Sequence, residues 1–192
     1  DTTISAGIDA LNQAFESLWN KNRTPLTKLF ASRSIALGVD ALRSLNENAE
    51  DHRARDKMSE ASLLAGMAIA KTRTSICHSI SYPLTAHFGV PHGVACGFSM
   101  VAVMEWCLND APHLLSPTLR DMGCENEAEV FRDISQLISE LGISEKVRQR
   151  VPGIDSVIAV SSEMQTLGRS DNFPMEIKPE KLLEVLQRSF EG

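Results

Sequence analysis

Apolar residues recur at helical spacing along nearly the whole chain, and this periodicity constrains the fold more than any other feature of the sequence. In the first segment, Ile8, Leu11, Phe15 and Leu18 share one face of a helix. No stretch of useful length shows the alternation of apolar and polar residues that is typical of a half-buried strand. Aromatic residues make up only 5% of the chain, and most apolar volume comes from aliphatic residues that favour helices. The sequence therefore predicts an all-α fold.

Capping residues give approximate boundaries to these helices. Thr2, Thr3 and Ser5 are N-cap candidates for the first helix. Thr24 followed by Pro25 places proline at the first position of a second helix, where its missing N–H costs nothing. Further helical patterns cover residues 25–44, 51–71, 92–109, 114–122, 125–141, 144–149, 153–167 and 179–190, with another helical segment around His78.

Length, charge and cysteine content limit the class of protein. The 192 residues suffice for one domain with a sizeable core, and the net charge of −6 argues against nucleic-acid or anionic-membrane binding. We find no signal peptide, and the longest apolar run, residues 93–107, is too short to cross a membrane. The sequence therefore predicts a cytoplasmic protein with reduced, buried thiols, since no Cys-x-x-Cys pair occurs among Cys77, Cys96, Cys107 and Cys124.

Three of the five histidines fall between His78 and His92. Neutral imidazole is the commonest metal ligand in proteins, and two imidazoles on adjacent rigid elements can share one ion. Asp9 is a third candidate ligand, because a cation would offset the cost of burying its carboxylate among apolar neighbours. Gln13 lies one turn later on the same face.

Each of these residues also has a purely structural interpretation. Asp9 could interact with a helix dipole, His78 could be a hydrogen-bonded core residue, and His92 could bond the backbone at a helix start. His87 is expected in packing or at the surface. The residue types and their spacing alone therefore leave the metal site open.

A longer motif around His78 and His92 favours the metal site over the structural interpretations. The stretch 61–97, with His78, Tyr82-Pro83-Leu84-Thr85 and Pro91-His92-Gly93, resembles the metal-binding signature of the iron-containing (group III) alcohol dehydrogenases. Residues 7–16 resemble the helix of that family that supplies an aspartate ligand, and residues 169–174 are similar to its C-terminal end. The resemblance thus extends over nearly the whole chain.

The resemblance implies a two-domain enzyme. In that family, an N-terminal α/β domain binds NAD(P), and a helical C-terminal domain of the dehydroquinate synthase-like fold holds a divalent metal, commonly Fe²⁺ and sometimes Zn²⁺. By this resemblance, residues 1–192 are the metal- and substrate-binding domain, and Asp9, His78 and His92 are metal ligands. The chain starts at Asp1 without Met and has no Gly-rich phosphate loop, so we expect a piece of a longer protein. The resemblance also implies a homodimer.

Two residues depart from the pattern of the family. Gln13 replaces the usual histidine ligand of the first helix, so its amide oxygen is expected to be a weak fourth ligand or to hold a metal-bound water. Tyr82 replaces a second histidine and is a candidate catalytic residue that donates a hydrogen bond or shapes the pocket.

With these two replacements, the sequence resembles one branch of the family, which is associated with phosphonate metabolism. Members of that branch are thought to reduce phosphonoacetaldehyde. Lys71 and Arg73 would then bind the doubly charged phosphonate. Their structural alternative is to cap a helix end or face solvent.

The sequence thus predicts a metal-dependent, NAD(P)-linked aldehyde reductase or alcohol dehydrogenase. One alternative is a dehydroquinate synthase-like or glycerol-phosphate dehydrogenase-like enzyme, because those enzymes use three protein ligands. The other alternative is that the isolated chain is a non-catalytic module for metal binding or dimerisation. The reason is that the chain contains no recognisable nucleotide site.

Overall fold

The computed structural model describes residues 2–123 and 126–192. Within these ranges the chain forms α-helices and short 3-10 helices and no strand, which confirms the all-α prediction. The helices are α1 (Thr2–Leu18), α2 (Pro25–Glu47), α3 (His52–Thr72), α4 (Ile76–Phe88), α5 (His92–Asp110), α6 (Ser116–Asp121), α7 (Glu127–Glu140), α8 (Ile143–Arg148), α9 (Ile154–Ala159) and α10 (Pro179–Glu191).

Side chains cap the helices where the sequence predicts it. The Thr24 hydroxyl accepts a hydrogen bond from the Thr27 backbone N–H at 3.2 Å, and the Thr27 hydroxyl accepts one from the Thr24 N–H at 2.8 Å. This reciprocal box precedes Pro25 and fixes the start of α2, which ends at Glu47, three residues beyond the predicted boundary. The Asp51 carboxylate in turn accepts hydrogen bonds from the first N–H groups of α3.

Two predicted boundaries are wrong. Thr2, Thr3 and Ser5 lie inside α1 rather than ahead of it. The helix predicted over 153–167 ends at Ala159 and is followed by a 3-10 helix, Ser161–Met164. The predicted helix ends early because of a tertiary contact. The Thr166 N–H donates to the Ser79 hydroxyl of α4 at 2.9 Å, and this hydrogen bond holds the chain around Thr166 in a non-helical path.

Helix α1 lies at the centre of the core. It packs against α2 and α3 on one side and against α5 and the start of α4 on the other, and α10 closes over α5. Ile8, Phe15 and Trp19 are fully buried. None of the helices in the described part of the chain has the length and apolar character needed to cross the bilayer.

The thiols Cys77, Cys96 and Cys107 are buried and free, as predicted, and Cys124 lies outside the described residues. The predicted metal-binding residues Asp9, His78 and His92 lie on α1, α4 and α5, respectively.

Candidate metal centre

Three helices bring potential metal ligands to one point. Asp9 projects from α1, His78 from the first turn of α4, and His92 from the first residue of α5, with Cys96 one turn further along α5. One ligand atom from each of these four residues lies within 4.8 Å of all the others. The His78 Nε2 atom is 3.1 Å from Asp9 Oδ1, and the Cys96 Sγ atom is 3.6 Å from His92 Nε2. The predicted trio Asp9, His78 and His92 is therefore brought together.

Glycine allows α5 to approach α1 closely enough for this convergence. A Cβ atom at Gly93 would lie 1.7 Å from the Ser5 carbonyl oxygen, and one at Gly97 would lie 2.5 Å from the Ile8 side chain. The buried Asn12 amide joins the same two helices by donating to the Cys96 carbonyl at 3.0 Å. The glycine of the Pro91-His92-Gly93 motif is thus needed for packing, and the packing positions His92 beside α1.

Glu16, whose side chain is fully buried, fixes the orientation of His78. Its carboxylate accepts a hydrogen bond from His78 Nδ1 at 2.7 Å and further bonds from the backbone N–H groups of Ser75, Cys77 and His78. Ser75 provides no side-chain cap of its own, so Glu16 caps α4 from another helix. Because Nδ1–H points at Glu16, the Nε2 atom faces Asp9 and His92.

The electrostatics of the cluster favour positive charge. Burial opposes the charged form of His78, but the attraction of Glu16 and the hydrogen bond with Asp9 outweigh it and raise the His78 pKa well above its usual range. Burial likewise works to raise the pKa of Asp9, yet His78 and His92 lower it overall. Burial lowers the pKa of His92 and raises that of the Cys96 thiol.

Three of the four remaining predicted residues line an adjoining cavity of about 460 Å³. Gln13, Tyr82 and Arg73 all line it, together with the ligand candidates His78 and His92. Lys71 is exposed in the last turn of α3 and is not among the residues that line this cavity. The structure therefore brings Arg73, but not Lys71, to the site.

Arg73 reaches the cavity through an unusual backbone conformation. It is the one non-glycine residue of the described ranges with a positive φ, at 66°. Its carbonyl accepts hydrogen bonds from the buried Asn20 amide and from the Thr72 hydroxyl, which hold this conformation in place. Backbone strain of this kind concentrates at functional sites.

Tyr82 contacts both the ligand cluster and a second arginine. Its ring stacks on His92 with centroids 5.8 Å apart, and its hydroxyl oxygen accepts a hydrogen bond from Arg169 Nε at 2.7 Å. Arg169 also lines the cavity, with its guanidinium group over the Tyr82 ring, so two arginine residues border the space beside the ligand cluster.

Sequence reasoning missed three residues of this site. Cys96 could have been found, because it lies four residues after His92 and therefore on the same helix face. Glu16 stands seven residues after Asp9, again on the same side of α1, and its role was not recognised. The position of Arg169 depends on a loop fastened by Asn172, which donates to the Thr74 carbonyl at 2.9 Å, and no local pattern indicates that contact.

Comparison with known proteins agrees with this architecture. Residues 3–190 match the family described as "Fe-containing alcohol dehydrogenase family, C-terminal". The chain therefore belongs to the Fe-containing alcohol dehydrogenase family and corresponds to its C-terminal part.

Individual relatives span both aldehyde reductases and alcohol dehydrogenases. The chain is 36% identical to phosphonoacetaldehyde reductase of Streptomyces viridochromogenes over 104 residues, which are 54% of this chain and 26% of that protein. It is 28% identical to 1,3-propanediol dehydrogenase of Klebsiella pneumoniae over 180 residues, 90% of this chain and 42% of that protein.

The fold is also shared with solved structures. Sulfoacetaldehyde reductase of Bifidobacterium kashiwanohense in complex with NAD+ superposes with a TM-score of 0.83 at 26% identity. That match covers 98% of this chain and 50% of the other. The chain thus spans half or less of the length of these relatives.

Proposed function

We propose that this chain is the metal-binding half of an oxidoreductase that interconverts aldehydes and alcohols with a nicotinamide cofactor. The observation that carries the proposal is the convergence of Asp9, His78 and His92 from three helices, in a chain of the Fe-containing alcohol dehydrogenase family. An N-terminal domain like that of the longer relatives would bind most of the NAD(P).

The donor set fits a divalent cation. It combines one carboxylate and two imidazoles, which are common ligands of Fe²⁺ and Zn²⁺. The buried Glu16 adds negative charge without pointing at the ligand cluster, and it holds the Nδ1–H of His78, so a bound cation would take the place of the proton on Nε2. Asp9, His78 and His92 would therefore hold the ion, with Gln13 beside them as a weak oxygen donor or as an anchor for water.

The chemistry of the site follows from these positions. When bound, the cation would polarise the carbonyl oxygen of an aldehyde, and the nicotinamide would supply the hydride. Tyr82 would donate its hydroxyl proton in a hydrogen bond to the substrate, because its oxygen already accepts from Arg169. The stacked ring of Tyr82 would at the same time keep the His92 imidazole in place.

We further propose that the substrate carries an anionic group such as a phosphonate. Arg73 and Arg169 both line the cavity next to the ligand cluster, and guanidinium groups bind such oxygen atoms in pairs of hydrogen bonds. Two of the relatives are named for aldehydes that bear a phosphonate or a sulfonate group. Lys71 would play at most an indirect part, since it lies outside the cavity lining.

Oxidation of NADH and NADPH by the complete protein that carries this chain tests the activity. We expect turnover of phosphonoacetaldehyde that exceeds turnover of propanal. Absence of oxidation with a panel of aldehydes, in a protein that binds the metal, would refute the oxidoreductase and would favour a non-catalytic metal-binding or dimerisation module.

The substitution Arg73→Gln tests the anion site, because Arg73 lines the cavity without contacting Tyr82 through a hydrogen bond. A hydrogen bond to a charged group contributes about 1.5–3 kcal/mol, so the KM for phosphonoacetaldehyde should rise roughly 10- to 100-fold. The KM for propanal should change little, and Lys71→Gln is the matched control because Lys71 does not line the cavity. Equal effects of Arg73→Gln on both aldehydes would contradict the proposed anion site.

A further inference from the structure

Cys96 is the one member of the ligand cluster that the resemblance to the family does not explain. It is fully buried, its Sγ atom lies 3.6 Å from His92 Nε2, and it belongs to the group whose ligand atoms all lie within 4.8 Å of one another. The other two described thiols, Cys77 and Cys107, are equally buried but belong to no such group. Burial alone therefore does not account for the position of Cys96.

The potential ligand atoms around Cys96 lie close enough together to share one ion. Nitrogen and sulfur atoms bound to a tetrahedral cation at about 2.0–2.3 Å lie roughly 3.5 Å apart from each other. The Cys96 Sγ atom lies 3.6 Å from His92 Nε2 and 3.9 Å from His92 Nδ1, so the His92 ring would turn to aim one nitrogen at an ion shared with the sulfur. The 3.1 Å between His78 Nε2 and Asp9 Oδ1 is close to the ligand spacing already.

The packing of α5 holds Cys96 in this place. The Asn12 amide donates to the Cys96 carbonyl, and Gly97, the next residue, allows the backbone to approach Ile8 of α1. His92 and Cys96 are one helical turn apart, so both side chains project from the same face of α5 towards Asp9. A thiol donor is thereby positioned by the same helix contact that positions the imidazole.

We propose that the Cys96 thiolate is the fourth protein ligand of the metal centre, in a set of Asp9, His78, His92 and Cys96. The sulfur donor compensates for Gln13, which stands where the family usually has a histidine. This inference rests on the proposed metal-binding function and assigns one further ligand to it.

A thiolate changes which metal the site prefers. Sulfur donors select softer ions such as Zn²⁺ over hard ions such as Mn²⁺, which prefer oxygen. Replacement of Cys96 by Ser should therefore weaken Zn²⁺ binding by about tenfold or more and weaken Mn²⁺ binding much less. The site of this chain would then favour Zn²⁺ more strongly than a site of one carboxylate and three imidazoles.

Cobalt substitution of the complete protein that carries this chain tests the proposal directly. Co²⁺ bound to a thiolate shows a sulfur-to-metal charge-transfer absorption in the near ultraviolet, and Co²⁺ bound by nitrogen and oxygen alone does not. We expect this band in the wild-type protein and in Cys107→Ser, and we expect it to disappear in Cys96→Ser while the visible Co²⁺ bands persist.

X-ray absorption at the zinc edge of the Zn²⁺-loaded wild-type protein needs no variant and should show one sulfur neighbour. Bound Co²⁺ without the charge-transfer band, a band that survives in Cys96→Ser, or a zinc shell of only nitrogen and oxygen would overturn the assignment of Cys96 and leave the three-ligand centre intact. Failure of the wild-type protein to bind either ion would instead refute the metal centre itself.

Discussion

At the scale of single residues, Glu16 connects the start of a helix to a candidate metal ligand. Its carboxylate is fully buried, accepts three backbone N–H groups at the start of α4, and also accepts the Nδ1–H of His78. The same group therefore starts a helix and sets the tautomer of a candidate ligand. A carboxylate at a helix N-terminus is electrostatically favourable, which offsets part of the cost of its burial.

The substitution Glu16→Gln should loosen the hold on His78. The amide replaces one of the two carboxylate oxygen atoms with an NH2 group, so two of the four donors that face Glu16 lose their acceptor and the hold on His78 weakens. We expect metal affinity to fall by about 10- to 100-fold, the usual effect of removing a partner that orients a ligand. Competition with a chelating dye measures this affinity.

The chain offers a matched control in another glutamate–histidine pair. Glu163 Oε2 lies 2.9 Å from His87 Nε2, but both side chains are exposed. Glu163→Gln should leave metal affinity unchanged. Equal losses in both variants, or no loss in Glu16→Gln, would show that Glu16 does not position the ligand.

At the scale of elements, the contact between α1 and α5 determines whether a site exists. The Gly93 position faces the Ser5 carbonyl with no room for a side chain, and the Gly97 position faces Ile8. Any widening of this contact separates Asp9 on α1 from His92 on α5. The site is therefore a property of the helix packing as much as of the ligands.

The substitution Gly93→Ala tests this dependence. The added Cβ would overlap the Ser5 carbonyl oxygen, so α1 and α5 must move apart. We expect the free energy of unfolding in urea to fall by about 1–3 kcal/mol or more, as is usual for overpacking. Metal affinity should fall with it.

Gly66 in α3 is the matched control for Gly93, because a side chain at Gly66 has free space around it. A Cβ there meets no atom within 4 Å, so Gly66→Ala should raise the free energy of unfolding by about 0.5–1 kcal/mol through helix propensity alone. Equal stabilities of the two alanine variants would contradict the account of the α1–α5 contact.

The sequence predicts the long helices well because their signals are local. Apolar periodicity and the Thr24 cap indicate α1 to α5, and the motif around His78 and His92 indicates the site. Residues 160–178 are harder to predict, since Thr166 is held by the Ser79 hydroxyl of a distant helix, whereas α10 begins at the predicted Pro179. The contributions of Glu16, Cys96 and Arg169 likewise depend on how helices cross, and spacing along the chain does not reveal the crossing.

At the scale of the whole molecule, metal binding and folding should be coupled. The proposed ligands come from α1, α4 and α5, which meet only in the folded chain, so the ion should bind the folded state in preference to the unfolded one. The free energy of this coupling is about 2.7 kcal/mol at a free ion concentration of 100 times the Kd.

Thermal unfolding measures this coupling. For a chain of this size, that free energy corresponds to a rise in Tm of about 5–10 °C on addition of Zn²⁺. His78→Ala should show almost no rise. A similar rise in both chains would place the stabilising ion elsewhere on the protein.

Elemental analysis of bound metal, after anaerobic loading with Fe²⁺ or Zn²⁺ and removal of free ion, tests the central claim most directly. The account predicts about one ion per wild-type chain, a large loss in His78→Ala and in Asp9→Ala, and full retention in His87→Ala, whose imidazole is exposed and outside the cluster. A wild-type chain that retains no ion, or a His78→Ala chain that retains as much as the wild type, would contradict it.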